Sequence, residues 1–221
     1  CGFGFEKPDA YNNIFRRIEK RLVQNNCWIA MVRGNHDDPA YFELQADGNT
    51  LIHHARWQTV PDYTVIQACG RMVLCVGGAV SVDRQIRMRE MERHLGKRYY
   101  WPNETVRYDA EALEAIRDAG LKVDTVVTHT APSMCEFQSK QGLATWAQCD
   151  ATLLDDCNAE RAAMDDIIVH LKQDNHPLER WYYGHFHNSW HSEIDGVWFK
   201  MLDIMELIEV PRIVNEKLSK M

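Results

Sequence analysis

Short apolar runs alternate with amphipathic helical segments along most of the chain, a pattern typical of an α/β domain. Residues 9–25 place Ile14, Ile18 and Leu22 at helical spacing behind Asp9, which is a predicted N-cap. Further helices are predicted at residues 83–98, 109–119 and 159–173. Strands are predicted at residues 27–32, 51–53, 64–68, 71–77, 123–128 and 180–183, with a hairpin over 190–210 that turns at Asp195-Gly196.

The sequence has no internal repeat, low-complexity tract or Gly/Ser linker, so residues 1–221 are predicted to form a single domain. Residues 133–158 lack a clear period. They fit a mobile substrate loop and a plain connection equally well.

Composition narrows the class of protein. No apolar run approaches the roughly 20 residues of a membrane helix, so no membrane partner is expected. The net charge of −7 and pI near 5.8 make long nucleic acid an unlikely partner. Seven cysteines without a CxxC pair, and no visible export signal, are typical of reduced thiols. We therefore expect a cytoplasmic protein.

Three predicted strands run directly into side chains that bind metals. These are "VRGNHDD" at 32–38, "VVTHTAP" at 126–132 and "YYGHFHN" at 182–188. Open α/β sheets gather their ligands at the carboxyl ends of strands, so the three stretches are predicted to meet. Imidazole suits transition metals, and amide and carboxylate oxygens add harder ligands.

Each stretch also has a plainer interpretation. Asn35, His36 and Asp37 could form a helix-capping turn, and His129 could be a hydrogen-bonded core histidine. In a strand, His185 and His187 would point to opposite faces, although a loop led by Gly184 could turn both inward. Taken together, the three strand ends favour a shared metal site.

The motifs resemble those of the calcineurin-like metallophosphoesterases. "GNHD" (34–37), "VVTH" (126–129) and "GHFH" (184–187) carry the resemblance, and "GGAVSVDR" (77–84) with "WPNE" (101–104) resembles a bacterial branch of the superfamily. The resemblance implies a four-layer α/β/β/α sandwich of two mixed sheets flanked by helices. It also implies two divalent metals, drawn from Mn, Fe, Zn or Ni, and hydrolysis of phosphomonoesters or phosphodiesters.

Residue by residue, the resemblance implies that Asn35, His129 and His185 bind one metal and that His187 binds the other. It places His36 near the leaving-group oxygen and makes Asp37 the acid that orients His36.

The sequence departs from the family pattern before "GNHD". The family has an Asp-x-His and then a Gly-Asp in that region, and nothing here matches either motif. "CGFGFEKP" resembles the family segment directly after the Gly-Asp. We therefore expect the first β-α-β portion and the bridging carboxylate to be missing, in which case this chain could bind one metal or none in place of the family's two. An exposed sheet edge would then favour association, although the oligomeric state is not predicted.

The expected reaction is attack on a phosphoester by a metal-activated water, with a phosphoprotein, a nucleotide or a small metabolite as substrate. One alternative is a catalytically incomplete domain that acts as a binding module or scaffold. Another is a structural metal site built from His129, His185 and His187, in which case chelation would unfold the protein.

Weaker features remain open at this stage. The run 83–98 fits a solvated charged helix, or a cap in which Arg84 or Arg87 meets substrate phosphate. The aromatic residues 99–101 fit either the core or a stacking surface. His53, His54 and His191 are expected to be structural or surface residues.

Overall fold

The computed structural model describes residues 2–94, 96–135 and 142–211. Its helices are α1 (Pro8–Gln24), α2 (Arg84–Arg93), α3 (Ala110–Asp118), α4 (Leu143–Ala147) and α5 (Leu153–Gln173), with a 3₁₀ turn at Pro39–Tyr41. Its strands are β1 (Ile29–Met31), β2 (His53–His54), β3 (Trp57–Thr59), β4 (Thr64–Ala68), β5 (Arg71–Val76), β6 (Thr125–Thr128), β7 (Arg180–Tyr183), β8 (Trp190–Ile194) and β9 (Val197–Met201).

The strands form two mixed sheets. The smaller sheet has the order β1-β3-β2, with β1 parallel and β2 antiparallel to β3. The larger sheet has the order β4-β5-β6-β7-β9-β8. Its central strands β5, β6, β7 and β9 are parallel, and its edge strands are antiparallel. The carboxyl ends of β5, β6 and β7 therefore lie at the same end of the larger sheet, where the loops that follow these strands meet.

The larger sheet carries the main core. Its central strands are apolar runs because both faces are covered, as parallel strands require. Leu74, Val126 and Trp181 are fully buried there, beneath Leu113 of α3 and Met164 of α5. This core fixes where the central strands end.

The smaller sheet packs with α1 on a separate, mainly aromatic cluster. Phe3, Tyr11, Tyr41, Phe42 and Trp57 are all buried in it. A backbone hydrogen bond of 2.9 Å joins the two halves of the molecule, from Gly78 N, after β5, to Arg33 O, after β1. The predicted α/β sandwich of two mixed sheets with packed helices is confirmed.

Several local predictions need correction. The N-cap of α1 is Lys7 rather than Asp9, because Pro8 takes the first helical position. Ile14 is 56% exposed, and Tyr11 lies on the buried face in its place. Strand β3 was not predicted, because three residues are too short to show alternation.

The remaining differences lie in element lengths. α2 ends at Arg93 instead of continuing to residue 98. α5 begins at Leu153, six residues before the prediction, and α4 also lies within the stretch that lacked a period. Residues 136–141 of that stretch lie outside the described residues.

Two expectations from composition can be compared with the structure. Each of the six cysteines in the described part of the chain is a free thiol. Across residues 2–94, 96–135 and 142–211, no helix has the length and apolar character needed to cross a membrane.

Candidate active site

The three histidine-bearing strand ends meet at one cavity of about 360 Å³. β1 leads into Asn35, His36 and Asp37, β6 leads into His129, and β7 leads into the loop that carries His187. Phe5 and Gly34 complete much of the remaining wall. Residues distant in the sequence therefore share one open pocket.

Two potential metal ligands in the pocket, His129 Nε2 and Asn35 Oδ1, lie 2.9 Å apart. Two ligand atoms at right angles around a metal with bonds of about 2.1 Å would lie about 3 Å apart. Gly34 makes this approach possible, because a Cβ there would lie 3.1 Å from His129 Cε1. The pair is at hydrogen-bonding distance, which is also the spacing of two neighbouring metal ligands.

His185 and His187 lie in a loop with unusual backbone geometry. Their φ angles are +68° and +51°, in the left-handed region that non-glycine residues rarely adopt. The ring of His185 packs against that of His129 with centroids 5.1 Å apart, and His187 lines the cavity. The loop after Gly184 therefore places the His185 ring against His129, behind the cavity lining, and the His187 ring at the cavity wall.

Burial sets the charge state of the inner histidines. It lowers the pKa of His129 to about 3. Burial, followed by the proximity of His129, lowers the pKa of His185 well below its usual value. Both rings are therefore neutral at pH 7 and carry the lone pair that a metal ligand needs.

Asp37 organises the turn that carries Asn35 and His36. Its buried carboxylate accepts hydrogen bonds from Phe3 N at 2.9 Å and from Gly34 N at 2.8 Å. The aspartate thus ties the residue 2–6 segment to the strand end. The Asp37 charge raises the pKa of His36, but burial and the Arg87 charge have larger effects on this pKa. Direct orientation of His36 by Asp37 stays a prediction.

His36 is exposed at the mouth of the cavity and contacts Arg87 of α2. Arg87 also binds Asp83 at 2.8 Å and Tyr99 O at 3.3 Å. Partial burial lowers the pKa of His36, and the Arg87 charge lowers it further. Arg87 therefore lies beside the cavity, and the cap interpretation, in which it meets substrate phosphate, stays a prediction.

Arg84 has a different role from both interpretations of the charged run. It is buried and bonds Asp150 through Nε at 2.5 Å, Asp156 at 2.6 Å and Thr152 Oγ1 at 2.9 Å. Its guanidinium therefore joins α2 to the start of α5 and is neither solvated nor free to meet a phosphate.

The aromatic run 99–101 divides between packing and the cavity rim. Trp101 is buried and stacks on Phe5, with centroids 5.4 Å apart. Tyr99 meets the edge of Phe5 and lines a neighbouring cavity of about 310 Å³ beside His36. Trp101 is thus core, and Tyr99 belongs to the surface beside the site.

Sequence reasoning missed Ser81 and Glu104, which support Asn35 from below. Asn35 Nδ2 donates to Ser81 Oγ at 2.9 Å, and Ser81 Oγ donates to Glu104 Oε2 at 2.9 Å. Both residues lie within the quoted motifs "GGAVSVDR" and "WPNE", yet no role was assigned to either. The available signal was Ser81, a polar residue in the loop after the buried strand β5, whereas Glu104 follows no strand.

The donor set fits a divalent transition metal. In the described part of the chain, no group of three or more His, Cys, Asp or Glu residues stands ready to hold a metal ion. The amide oxygen of Asn35 is outside that count and supplies a donor beside His129. Neutral nitrogen and oxygen donors of this kind suit Zn, Fe, Mn and Ni.

The structure is an α/β sandwich with imidazole and amide groups at the ends of its strands. The family model for calcineurin-like phosphoesterases matches residues 4–189. The chain belongs to the calcineurin-like phosphoesterase family. No match is found among curated proteins.

Proposed function

We propose that this chain hydrolyses a phosphomonoester or phosphodiester by means of a metal-activated water. The carrying observation is the convergence of Asn35 Oδ1 and His129 Nε2, 2.9 Å apart, in a cavity that His36 and His187 also line. Membership of the calcineurin-like phosphoesterase family supports phosphoester hydrolysis in general.

In this proposal Asn35, His129 and His185 hold one divalent metal, and His187 contributes to a second. Bound metals supply charge that neutralises the phosphoryl oxygens and lowers the pKa of a water. His36 lies at the cavity mouth, where it can hydrogen-bond the leaving-group oxygen. Asp37 keeps the strand end in shape through its two backbone hydrogen bonds.

Arg87 holds His36 in place in this arrangement. Its guanidinium reaches the His36 ring from α2 while Asp83 fixes its other side. The substrate is a phosphoprotein, a nucleotide or a small metabolite, and a cytoplasmic location stays a prediction. The adjoining cavity between Phe5, Ile86 and Tyr99 is the space nearest His36 into which a leaving group can extend.

The test combines metal content with turnover of p-nitrophenyl phosphate and bis-p-nitrophenyl phosphate in the presence of Mn²⁺. We expect bound metal and turnover in the wild type, and a loss of both in His129→Ala. His191→Ala is the matched control, because His191 lies on β8 against Trp198 and away from the cavity. Its metal content and turnover should equal those of the wild type.

The competing interpretations give different results. A binding module or scaffold gives no turnover with any added metal. A structural site of His129, His185 and His187 gives one tightly held metal, and chelation then unfolds the protein. Either result overturns the proposal, which requires that chelation abolish turnover and leave the fold intact.

A further inference from the structure

We propose that Glu104 is a positioning residue that acts through Ser81 to determine which end of the Asn35 amide faces the metal site. The inference rests on the proposed function, because it assigns a supporting residue to a proposed metal ligand. It concerns residues of this chain alone, so part of its test needs no metal.

The geometry forms a continuous chain of three buried side chains. Glu104 is 1% exposed, Ser81 0% and Asn35 5%. The carboxylate accepts from Ser81 N at 2.6 Å and from Ser81 Oγ at 2.9 Å. Ser81 Oγ then accepts from Asn35 Nδ2 at 2.9 Å. Water has no ready access to replace any of these bonds.

The direction of the hydrogen bonds follows from the inventory of donors. When Glu104 is ionised its carboxylate only accepts, so the single hydroxyl proton of Ser81 must then point to Glu104. The hydroxyl oxygen is then left to accept, and the end of Asn35 that meets it must be the NH₂ group. The amide oxygen of Asn35 is therefore directed to His129 Nε2, where a metal ligand is needed.

Glu104 is itself held firmly by its backbone. Arg33 Nη1 donates to Glu104 O at 2.6 Å, and Arg33 Nη2 binds Asp62 at 2.8 Å. Gly78, at φ +97°, allows this close approach, because a Cβ there would lie 2.6 Å from Glu104 O. The carboxylate is thus a fixed point and can impose an orientation on the groups above it.

Glu104→Gln tests the inference because it keeps the shape of the side chain and replaces one acceptor oxygen with an NH₂ donor. Ser81 N–H needs the side-chain oxygen of the new glutamine, so the NH₂ group must face Ser81 Oγ. Ser81 then donates to Asn35, whose amide turns its NH₂ group toward the metal site. We expect Mn²⁺ affinity, measured by titration calorimetry on metal-stripped protein, to fall roughly 10- to 100-fold.

Ser81→Ala separates positioning from a plain effect of charge or packing. If Glu104 acts through Ser81, Glu104→Gln has no further effect on Mn²⁺ affinity once Ser81 is alanine. If Glu104 acts only through its charge or through the fold, the two losses add, and the inference is overturned. Thr59→Val is the control for removing a buried hydroxyl, because Thr59 bonds Tyr41 O in the smaller sheet. Its Mn²⁺ affinity should match that of the wild type.

A readout without metal keeps this inference distinct from the proposed function. The side-chain amide signals of Asn35 in ¹H–¹⁵N spectra can be assigned by their absence in Asn35→Asp. In metal-free wild type we expect slow hydrogen exchange of this amide, and in Glu104→Gln a shifted signal with faster exchange. If the wild type binds no Mn²⁺, the proposed function fails, and this measurement alone decides the inference. An Asn35 signal unchanged in Glu104→Gln overturns it.

Discussion

The two halves of the molecule hold their parts of the site by different means. In the larger sheet, β6 and β7 are paired on both sides and backed by a continuous apolar core, so His129 and the loop of His185 follow from rigid strands. In the smaller sheet, β1 has only three residues and pairs with one neighbour. Polar contacts complete the placement of Asn35.

Those polar contacts come largely from outside the smaller sheet. Asp37 binds Phe3 N, Gly78 N binds Arg33 O, and Ser81 holds the Asn35 amide. Buried polar contacts are more sensitive to a single lost partner than apolar contacts are. Local loosening of the site should therefore begin at "GNHD" and leave the histidines of the larger sheet in place.

The largest effect is expected from the central tryptophan of the larger sheet. Trp181 is fully buried, stacks on Phe199, and donates from Nε1 to Thr128 Oγ1 at 2.9 Å. Trp181→Ala should lower the free energy of unfolding by about 3–5 kcal/mol. Urea unfolding followed by far-UV circular dichroism measures the loss.

Trp57→Ala provides the matched change in the smaller sheet. Trp57 is also fully buried and stacks on Phe15. Hydrogen exchange should show lost protection around α1 and β1, with β6 and β7 still protected. Equal loss of protection in both sheets would mean that the two halves unfold as one unit, which contradicts the comparison.

The next effect concerns pH and the carboxyl group of Glu104. Burial raises its pKa to about 7, partly opposed by the hydrogen bonds from Ser81. Other charged or titratable groups around it are Arg87 of α2, Asp83 at the N-cap of α2, Arg33 after β1, and Tyr100 in the same segment. A raised carboxyl pKa means that the folded state holds the proton more tightly than the unfolded state does.

Protonated Glu104 therefore stabilises the fold at the acid end of the range. This contribution is present in full below about pH 4.5 and is lost as pH rises through about 7. Between about pH 4.5 and 7, the free energy of unfolding of metal-free wild type should fall by up to about 3 kcal/mol relative to that of Glu104→Gln. Mn²⁺ affinity should change in the opposite direction, because only the ionised carboxylate directs the Asn35 oxygen inward. Unfolding and Mn²⁺ titrations from pH 5 to 8 would contradict this if both quantities rose together.

A smaller effect is expected from Asp37→Asn. One carboxylate oxygen becomes an NH₂ group facing a backbone N–H, either that of Phe3 or that of Gly34. The expected loss is about 2 kcal/mol, confined to the residue 2–6 segment and the "GNHD" turn. Hydrogen exchange measured by mass spectrometry can locate it.

Asp38→Asn is the control for this change. Asp38 accepts from Ala40 N through a single oxygen, which asparagine retains. Its exchange pattern should therefore match the wild type. Loss of protection in β6 or β7 of Asp37→Asn would show that the turn and the larger sheet are coupled.

Prediction from the sequence worked best for the larger sheet. β4 and β7 lie at their predicted bounds, and β5 lies within one residue of its prediction. Strands β5, β6 and β7 were recognised because buried parallel strands read as largely apolar runs. The histidines were found because each directly follows such a strand. α5 was predicted too short because its first residues lie in the stretch 133–158, which shows no clear period.

The rest of the site depends on contacts between distant residues. Glu104 and Ser81 are 23 residues apart, and Arg87 and His36 are 51 apart. Periodicity gives no information on such pairs, and a run of charged residues cannot reveal that Arg84 is buried while Arg93 is exposed. The sequence therefore could not predict the polar side chains that support the smaller sheet, although it indicated the metal-type side chains at the strand ends.

The smallest effect is expected at the end of the larger sheet where β5, β6 and β7 begin, opposite the end that carries the cavity. Arg71 binds Asp124 and Glu179 there, both at 3.0 Å. The Glu179 side chain is 55% exposed, so Glu179→Gln should change the free energy of unfolding by no more than about 1 kcal/mol. Asp124 is buried and also accepts from Met72 N at 2.8 Å, so Asp124→Asn should lower the free energy of unfolding by more.

Because the core separates this end of the sheet from the cavity, Mn²⁺ affinity should stay at the wild-type value in both variants. Calorimetric titration beside urea unfolding measures the two quantities, and a fall in affinity would mean that the larger sheet transmits strain along its strands.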